Sequence, residues 1–317
     1  MTGHDETFTT RDRFRGALLG LAVGEALGAP ADFLTAAQIE ERHGVITEML
    51  GGGCHDVAPG ETTDATEMML CLAESLADRR AFDPEDIMER YLAWFDGTPR
   101  DVSLTVRTVL LSFRSGTHWD LASRRAFEIL GSPTAGNGSL MRCAPLALLY
   151  CGDAEARHAN SQRESTLTHF DRLAGWACVA FNDLLDAAIA GELREELPSI
   201  AHTIDEEDKR VSATLREALE AEPEEVQSST FVLDTLRTAV WSVLHTGTFE
   251  EAVCFAVNLG NDADTVGAVT GALAGAVYGE AGIPPRWLKP LLLRHRIVTV
   301  AEHLADLATQ RSAGGPP

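Results

Sequence analysis

Asp262, Asp264 and Thr265 fall within the run Gly260-Asn261-Asp262-Ala263-Asp264-Thr265, between two strongly apolar helical stretches. Two carboxylates spaced two apart can project to one side of a loop, and a hydroxyl at the next helix start extends the set. Hard oxygen donors of this kind suit Mg²⁺ or Mn²⁺. The same residue types also cap helices, because Asp and Thr oxygens accept free N–H groups of a first turn. One Asp suffices for a cap; two plus a Thr, flanked by Gly, exceed it. Both readings stand at this point.

A second cluster, Thr62-Thr63-Asp64-Ala65-Thr66-Glu67, also precedes an apolar helix. Alone it reads as a capping box, with Thr63 or Asp64 at the N-cap and Thr66 or Glu67 in support. A third, Gly136-Asn137-Gly138-Ser139, leads into the apolar run beginning at Leu140. Gly and Asn permit positive φ, and a helix start behind them offers N–H donors to an anion such as phosphate. An ordinary loop and N-cap explain it equally. Arg142, one turn further, either aids that anion or pairs with a carboxylate. By themselves, Asp101 reads as an N-cap before Val102 and His169 as a hydrogen-bonded core or rim histidine.

Helices must position these clusters. Apolar residues at helical spacing predict helices over 14–27, 67–77, 84–94, 102–113, 139–149, 173–190, 211–221, 231–245, 249–258, 265–278 and 285–307. No alternating run of strand length occurs, and no linker divides the chain. The expectation is one all-α domain over 11–311, with flexible tails at 1–10 and 312–317. The acidic stretch 204–225 reads as a solvated helix pair. Interleaved Gly and Ala in 14–27 predict close helix–helix contact.

The chain has 317 residues, 45% of them hydrophobic, enough for a substantial core. Forty-eight acidic against 26 basic residues give a formal charge of −22. Such a surface repels phosphate backbones and anionic lipid, which argues against nucleic-acid binding and a membrane role. Six cysteines without a CxxC pair fit reduced thiols, and the polar first residues carry no secretory pattern, so a cytoplasmic setting is expected.

Taken in order, GALLGLAVGEALGAPADF, APGETTDATEM, PRDVSLT, GNGSLMRCAPLAL, THFDRLA, QSSTFVLDTL and NDADTVGAVTGALAGAVYG are similar to the motifs of the ADP-ribosylglycohydrolase family, spanning residues 16–279. The resemblance implies a compact helical bundle with two Mg²⁺ or Mn²⁺ ions in a cleft. It implies hydrolysis of the N-glycosidic bond that joins ADP-ribose to a side chain, typically arginine. Thr63, Asp64, Asp262, Asp264 and Thr265 then match metal ligands, with Asp264 as the bridge. Asp101, Asp64 and Asp32 match catalytic carboxylates. Gly136, Asn137, Gly138, Ser139 and His169 match the substrate-binding residues, and Phe231 stands where relatives place a tyrosine. The implied partner is an ADP-ribosylated protein or ADP-ribose itself; separately, a self-contained domain of this size can be monomeric.

The chain also departs from the family pattern. Ala65 replaces a ligand carboxylate in Thr-Asp-Asp-Thr, Glu25 replaces Asp, Asp32 replaces Glu, Asn261 replaces Gly, and Leu104 replaces a polar residue. The Ala65 methyl leads to the expectation that one ion site is weakened. It also keeps open a different class of function, a catalytically silent module that binds ADP-ribose.

Overall fold

A computed structural model describes residues 8–131 and 135–313. Among them every regular element is helical, and the only β-type pairings are three isolated bridges. The helices are α1 (Thr10–Gly28), α2 (Ala36–His43), α3 (Asp64–Arg79), α4 (Pro84–Asp96), α5 (Leu104–Arg114), α6 (Trp119–Leu130), α7 (Ala144–Leu149) and α8 (Ala154–Thr166). They continue as α9 (Arg172–Ala190), α10 (Leu193–Asp205), α11 (Lys209–Glu220), α12 (Val232–His245), α13 (Phe249–Asn258), α14 (Ala263–Tyr278), α15 (Pro285–Leu288) and α16 (Arg294–Ser312).

The centre of the bundle is an antiparallel seam of small residues. Gly16, Gly20, Gly24 and Gly28 of α1 face Gly275, Gly271, Gly267 and Ala263 of α14. A Cβ added at any of these α1 glycines would stand 1.9–2.2 Å from a carbonyl oxygen of α14. Glycine every fourth residue keeps one face of a helix bare, so the two backbones close to direct contact. The seam sets Glu25 of α1 beside the first turn of α14. Helix α9 is apolar and long enough to cross a membrane, but nine-tenths of it is buried against other helices.

Several expected elements differ. Helices α2, α6, α8 and α10 were not predicted. Helix α8 is polar in composition, yet buries Arg157, Asn160, Ser161, Glu164 and Ser165, so apolar periodicity cannot reveal it. The expected helix 139–149 is a 3₁₀ turn at Leu140–Arg142 followed by α7, with Pro145 in the first turn of α7. The expected helix 285–307 stops at Leu288 just before Pro290, whose nitrogen has no hydrogen to donate, and resumes at Arg294. The acidic stretch holds one amphipathic helix, α11, which buries Val211, Leu215 and Ala218, and a 3₁₀ turn at Pro223–Glu225. Of the expected tails, residues 1–7 and 314–317 lie outside the described residues. Thr9 caps α1 by accepting the Asp12 N–H at 3.1 Å, and α16 continues to Ser312.

Candidate active site

The capping roles that competed for the aspartates are filled by other groups or left unmade. Thr63 is the N-cap residue of α3, but its side chain accepts no bond from that helix. Its hydroxyl donates to Glu25 Oε1 at 2.8 Å, and the N–H groups of Ala65 and Thr66 donate to Glu25 at 2.8 and 3.0 Å. Glu25, wholly buried on α1, therefore caps α3 from outside. Asp262 stands at the N-cap of α14 and likewise makes no capping bond. Helix α5 begins later than expected and is capped by Ser103, which accepts the Val106 N–H at 3.3 Å. Asp101 is thereby released from the N-cap role that its position suggested.

The released carboxylates converge. Oxygens of Asp32, Asp262 and Asp264 lie within 4.8 Å of one another, and all three residues are buried. Asp32 Oδ1 is buried with no hydrogen-bond partner. Together with Asp64 and Asp101, Asp32 and Asp262 line a cleft of 440 Å³. Asp264 lies just behind it, its Oδ2 3.2 Å from the Thr63 hydroxyl. Thr265 also lines the cleft; its N–H donates to Asp264 Oδ1 at 2.6 Å.

The electrostatics follow from burying like charges together. Burial first, then Asp32, Asp262 and Asp64, holds Asp264 well above the usual carboxylate range. Burial, then Asp101, Glu25 and Asp262, does the same for Asp64. Asp262 is pushed up to about 6 by burial, against the hydrogen bond it accepts from Asn137. Glu25 rises to about 7, chiefly through burial. Asp101 is raised by burial, opposed by His55. A divalent cation would relieve all of these at once, and hard oxygens are the donors it would meet.

A loop forms the opposite wall. Gly136 bridges to Phe231, and the Asn137 N–H donates to Thr230 O at 3.1 Å. Asn137 Nδ2 donates to Asp262 Oδ2 and, at 2.9 Å, to Thr235 Oγ1, tying the loop to the carboxylate cluster. His169 packs beneath it: a Cβ on Gly138 would stand 3.0 Å from the imidazole. Burial and then Arg142 lower His169 to about 3, which keeps the ring neutral. Arg142 is fully buried; it pairs with Glu164 at 2.6 Å and donates to Gly138 O at 3.0 Å. Of its two readings the carboxylate partner holds, and the residue supports the loop from below.

Two placements depart from expectation. Ser139 points away from the cleft, to Ser165 Oγ at 2.9 Å and toward Cys178. Thr63 is buried beside the cleft, not on its lining. Phe231 lines the cleft and is 42% exposed. Phe33, unforeseen, joins it at φ +60, with its N–H donating to Asn261 O at 2.6 Å. His55 was also unforeseen, since one histidine in a glycine loop carries no signal of its fold-brought partner, Asp32. Asn261, at φ +56, takes the left-handed conformation that Asn tolerates.

The sequence profile of the ADP-ribosylglycohydrolase family matches residues 6–314. The chain belongs to this family. It is 33% identical to an ADP-ribosylarginine hydrolase, Tri1, of Serratia proteamaculans, over 94% of this chain and 80% of the relative. It is 35% identical to the ADP-ribosyl-[dinitrogen reductase] glycohydrolase of Rhodospirillum rubrum, over 89% of this chain and 91% of the relative. A solved structure described as an ADP-ribosylglycohydrolase-related protein complex superposes with a TM-score of 0.77 at 37% identity, covering 94% of this chain and 99% of that one. This ADP-ribosylglycohydrolase is thus a hydrolase by family, with the helical fold of its relatives.

Proposed function

We propose that this ADP-ribosylglycohydrolase cleaves the N-glycosidic bond between ADP-ribose and an arginine side chain of a modified protein, using two Mg²⁺ or Mn²⁺ ions. The observation that carries the reading is the convergence of Asp32, Asp64, Asp101 and Asp262 on one cleft, with Asp264 behind them. The orphaned Asp32 Oδ1 and the all-oxygen donor set fit a divalent cation. Asp64, Asp262, Asp264 and Thr265 would hold the ions, Thr63 lying behind them and Asp32 reaching in from the loop after α1. Such ions, when bound, supply positive charge that polarises ribose hydroxyls and acidifies nearby water.

The chain's own groups do the rest. The backbone N–H groups of Gly136 and Gly138 bind the diphosphate and ribose, that of Asn137 being taken by Thr230 O, while Phe231 and Phe33 flank the sugar or base with their rings. Asp101, its proton held more tightly than in water, gives that proton to the departing guanidine nitrogen as its bond to the anomeric carbon breaks, and takes one back from the water that adds to that carbon. Charge built up at the anomeric carbon has oxocarbenium character and is favoured beside several carboxylates. His169, neutral, supports the loop and transfers no proton in the reaction. A single chain forms this site, and its six free cysteines suit a reducing, cytoplasmic setting.

Ala65 sets the limit on this activity. Its methyl is buried in the apolar core where the family pattern has a ligand carboxylate, so one ion is held more weakly and turnover is lower. The same observation favours the second reading, a chain that binds ADP-ribose without cleaving it. An ADP-ribosyl-arginine peptide incubated with the protein and Mn²⁺, with free ADP-ribose binding measured in parallel, separates the two. Released ADP-ribose supports hydrolysis; binding without release supports the silent module; neither result overturns both.

A further inference from the structure

The loop beginning with Gly51, Gly52 and Gly53 carries a cysteine and a histidine to Asp32, a residue of the cleft lining, and the hydrolytic reading uses neither. Neighbouring residues of an extended chain send their side chains to opposite sides. Cys54 and His55 do otherwise. Cys54 Sγ lies 3.6 Å, and His55 Nε2 2.9 Å, from the same atom, Asp32 Oδ2. Three successive left-handed glycines, at φ +68, +84 and +70, and Asp56 at φ +50 turn the loop tightly enough for this. The turn is braced. Gly52 and Val57 exchange backbone hydrogen bonds of 2.6 and 3.1 Å, and Arg100, paired to Glu61 at 2.8 Å, donates to His55 O at 3.2 Å. The sulfur, the imidazole nitrogen and a carboxylate oxygen all lie within 4.8 Å of one another. Asp32 is buried, and its other oxygen has no partner.

We propose that Asp32, Cys54 and His55 form a binding site for a borderline-soft divalent cation, Zn²⁺ foremost, beside the all-oxygen cluster and different from it in chemistry. One sulfur, one nitrogen and one oxygen with room for a fourth ligand is a zinc donor set. Tetrahedral bonds of zinc to these atoms put the ligands about 3.3–3.6 Å apart, and the two separations to Asp32 Oδ2 are 2.9 and 3.6 Å. Mg²⁺ and Mn²⁺, which prefer oxygen, gain little from a thiolate. On binding, the Cys54 thiol gives its proton to solvent and its sulfur bonds the metal; no electron changes hands. Asp32 belongs to both groups, so an ion here is coupled to the neighbouring cluster. The site stands whether or not the chain hydrolyses ADP-ribose.

Cobalt tests it, because Co²⁺ takes zinc sites and reports a sulfur ligand by a near-ultraviolet charge-transfer band. The full chain, kept reduced with a phosphine, is titrated with Co²⁺ and then with Zn²⁺. The expected result is the band growing to one equivalent and bleaching with one equivalent of Zn²⁺. Cys54→Ser removes the band and weakens Zn²⁺ binding at least about tenfold, His55→Ala weakens it comparably while keeping the band, and Cys254→Ser changes neither. Cys54 is exposed, so serine fits there without repacking, and equal unfolding temperatures of the metal-free chains verify it. A wild-type chain without the band, a Cys54→Ser chain that retains it, or a His55→Ala chain with unchanged Zn²⁺ affinity overturns the proposal.

Discussion

Glu25 accepts the backbone N–H of Ala65 at 2.8 Å, so two positions at which this chain departs from the family pattern are in contact. Glu25 is one methylene longer than aspartate, and Ala65 is a carboxylate shorter than its counterpart. An aspartate at 65 beside the present Glu25 would bury a second like charge with no cation to separate them. We therefore expect Ala65→Asp alone to destabilise the metal-free protein by about 1–3 kcal/mol. The paired change Glu25→Asp with Ala65→Asp should recover stability and bind a second Mn²⁺ more tightly. Calorimetric Mn²⁺ titration and thermal unfolding of the four proteins read this coupling; strictly additive effects would rule it out.

Stability of the metal-free protein should depend on pH with a sign set by the acid cluster. Glu25, Asp64, Asp101, Asp262 and Asp264 all have folded-state pKa values above their unfolded ones. The folded protein thus binds the extra protons. Their contribution is complete below the ordinary carboxylate range and is lost as pH rises through the raised values, to about 7 for Glu25. His169, lowered to about 3, acts in the opposite sense: its contribution is lost as pH falls below 6.5, but it is one group against five. Protons and cations compete for the same oxygens, so Mn²⁺ should raise the unfolding temperature much more near pH 8 than near pH 5. An equal rise at both would mean that the cluster does not hold the metal.

Asp101 lines the cleft and caps no helix, so its replacement should spare the fold. Asp101→Asn is expected to lower kcat about 10²–10⁴-fold, with ADP-ribose affinity changed little. Steady-state hydrolysis and direct ligand binding, measured on the same preparation, test this split. Loss of binding in step with activity would reassign Asp101 to substrate affinity alone.

Gly20→Ala probes what holds the site up. The new methyl would stand 2.1 Å from Gly271 O, which is backbone and cannot swing aside. A loss of about 3 kcal/mol or more is expected, visible in denaturant unfolding, together with weaker Mn²⁺ binding. Gly152→Ala, with open space around it, should cost only the strain of its left-handed φ and leave Mn²⁺ affinity unchanged.

Much of this was legible in the sequence, for identifiable reasons. Apolar spacing located α3, α4, α9 and α12–α14 closely, because each presents one clear apolar face or is buried nearly all round. The clusters at 62–67 and 260–265 stood out because they carry more oxygen donors than caps require. What stayed hidden depends on partners distant in the chain. Glu25 stands out in the sequence only as a replacement for the family's Asp; its capping of α3 is visible only once the fold lays it on that helix's first turn. Asp101 looked like a cap until Ser103 took that role. Ser139 lies in a loop motif that suggests ligand contact, yet its hydroxyl turns inward to Ser165.

The α1–α14 seam has a consequence for how such a protein can diversify. Asp264 hangs directly on that glycine-lined spine, and Glu25 stands within it, where even one extra methyl cannot be accommodated. Other parts of the cleft lining, by contrast, come from the short stretches around Phe33 and Asn137, outside the seam itself. Substitution in those stretches can alter what enters the cleft while the spine keeps the carboxylates in register. New substrates are thus to be sought in the loops, and loss of the chemistry in the glycines.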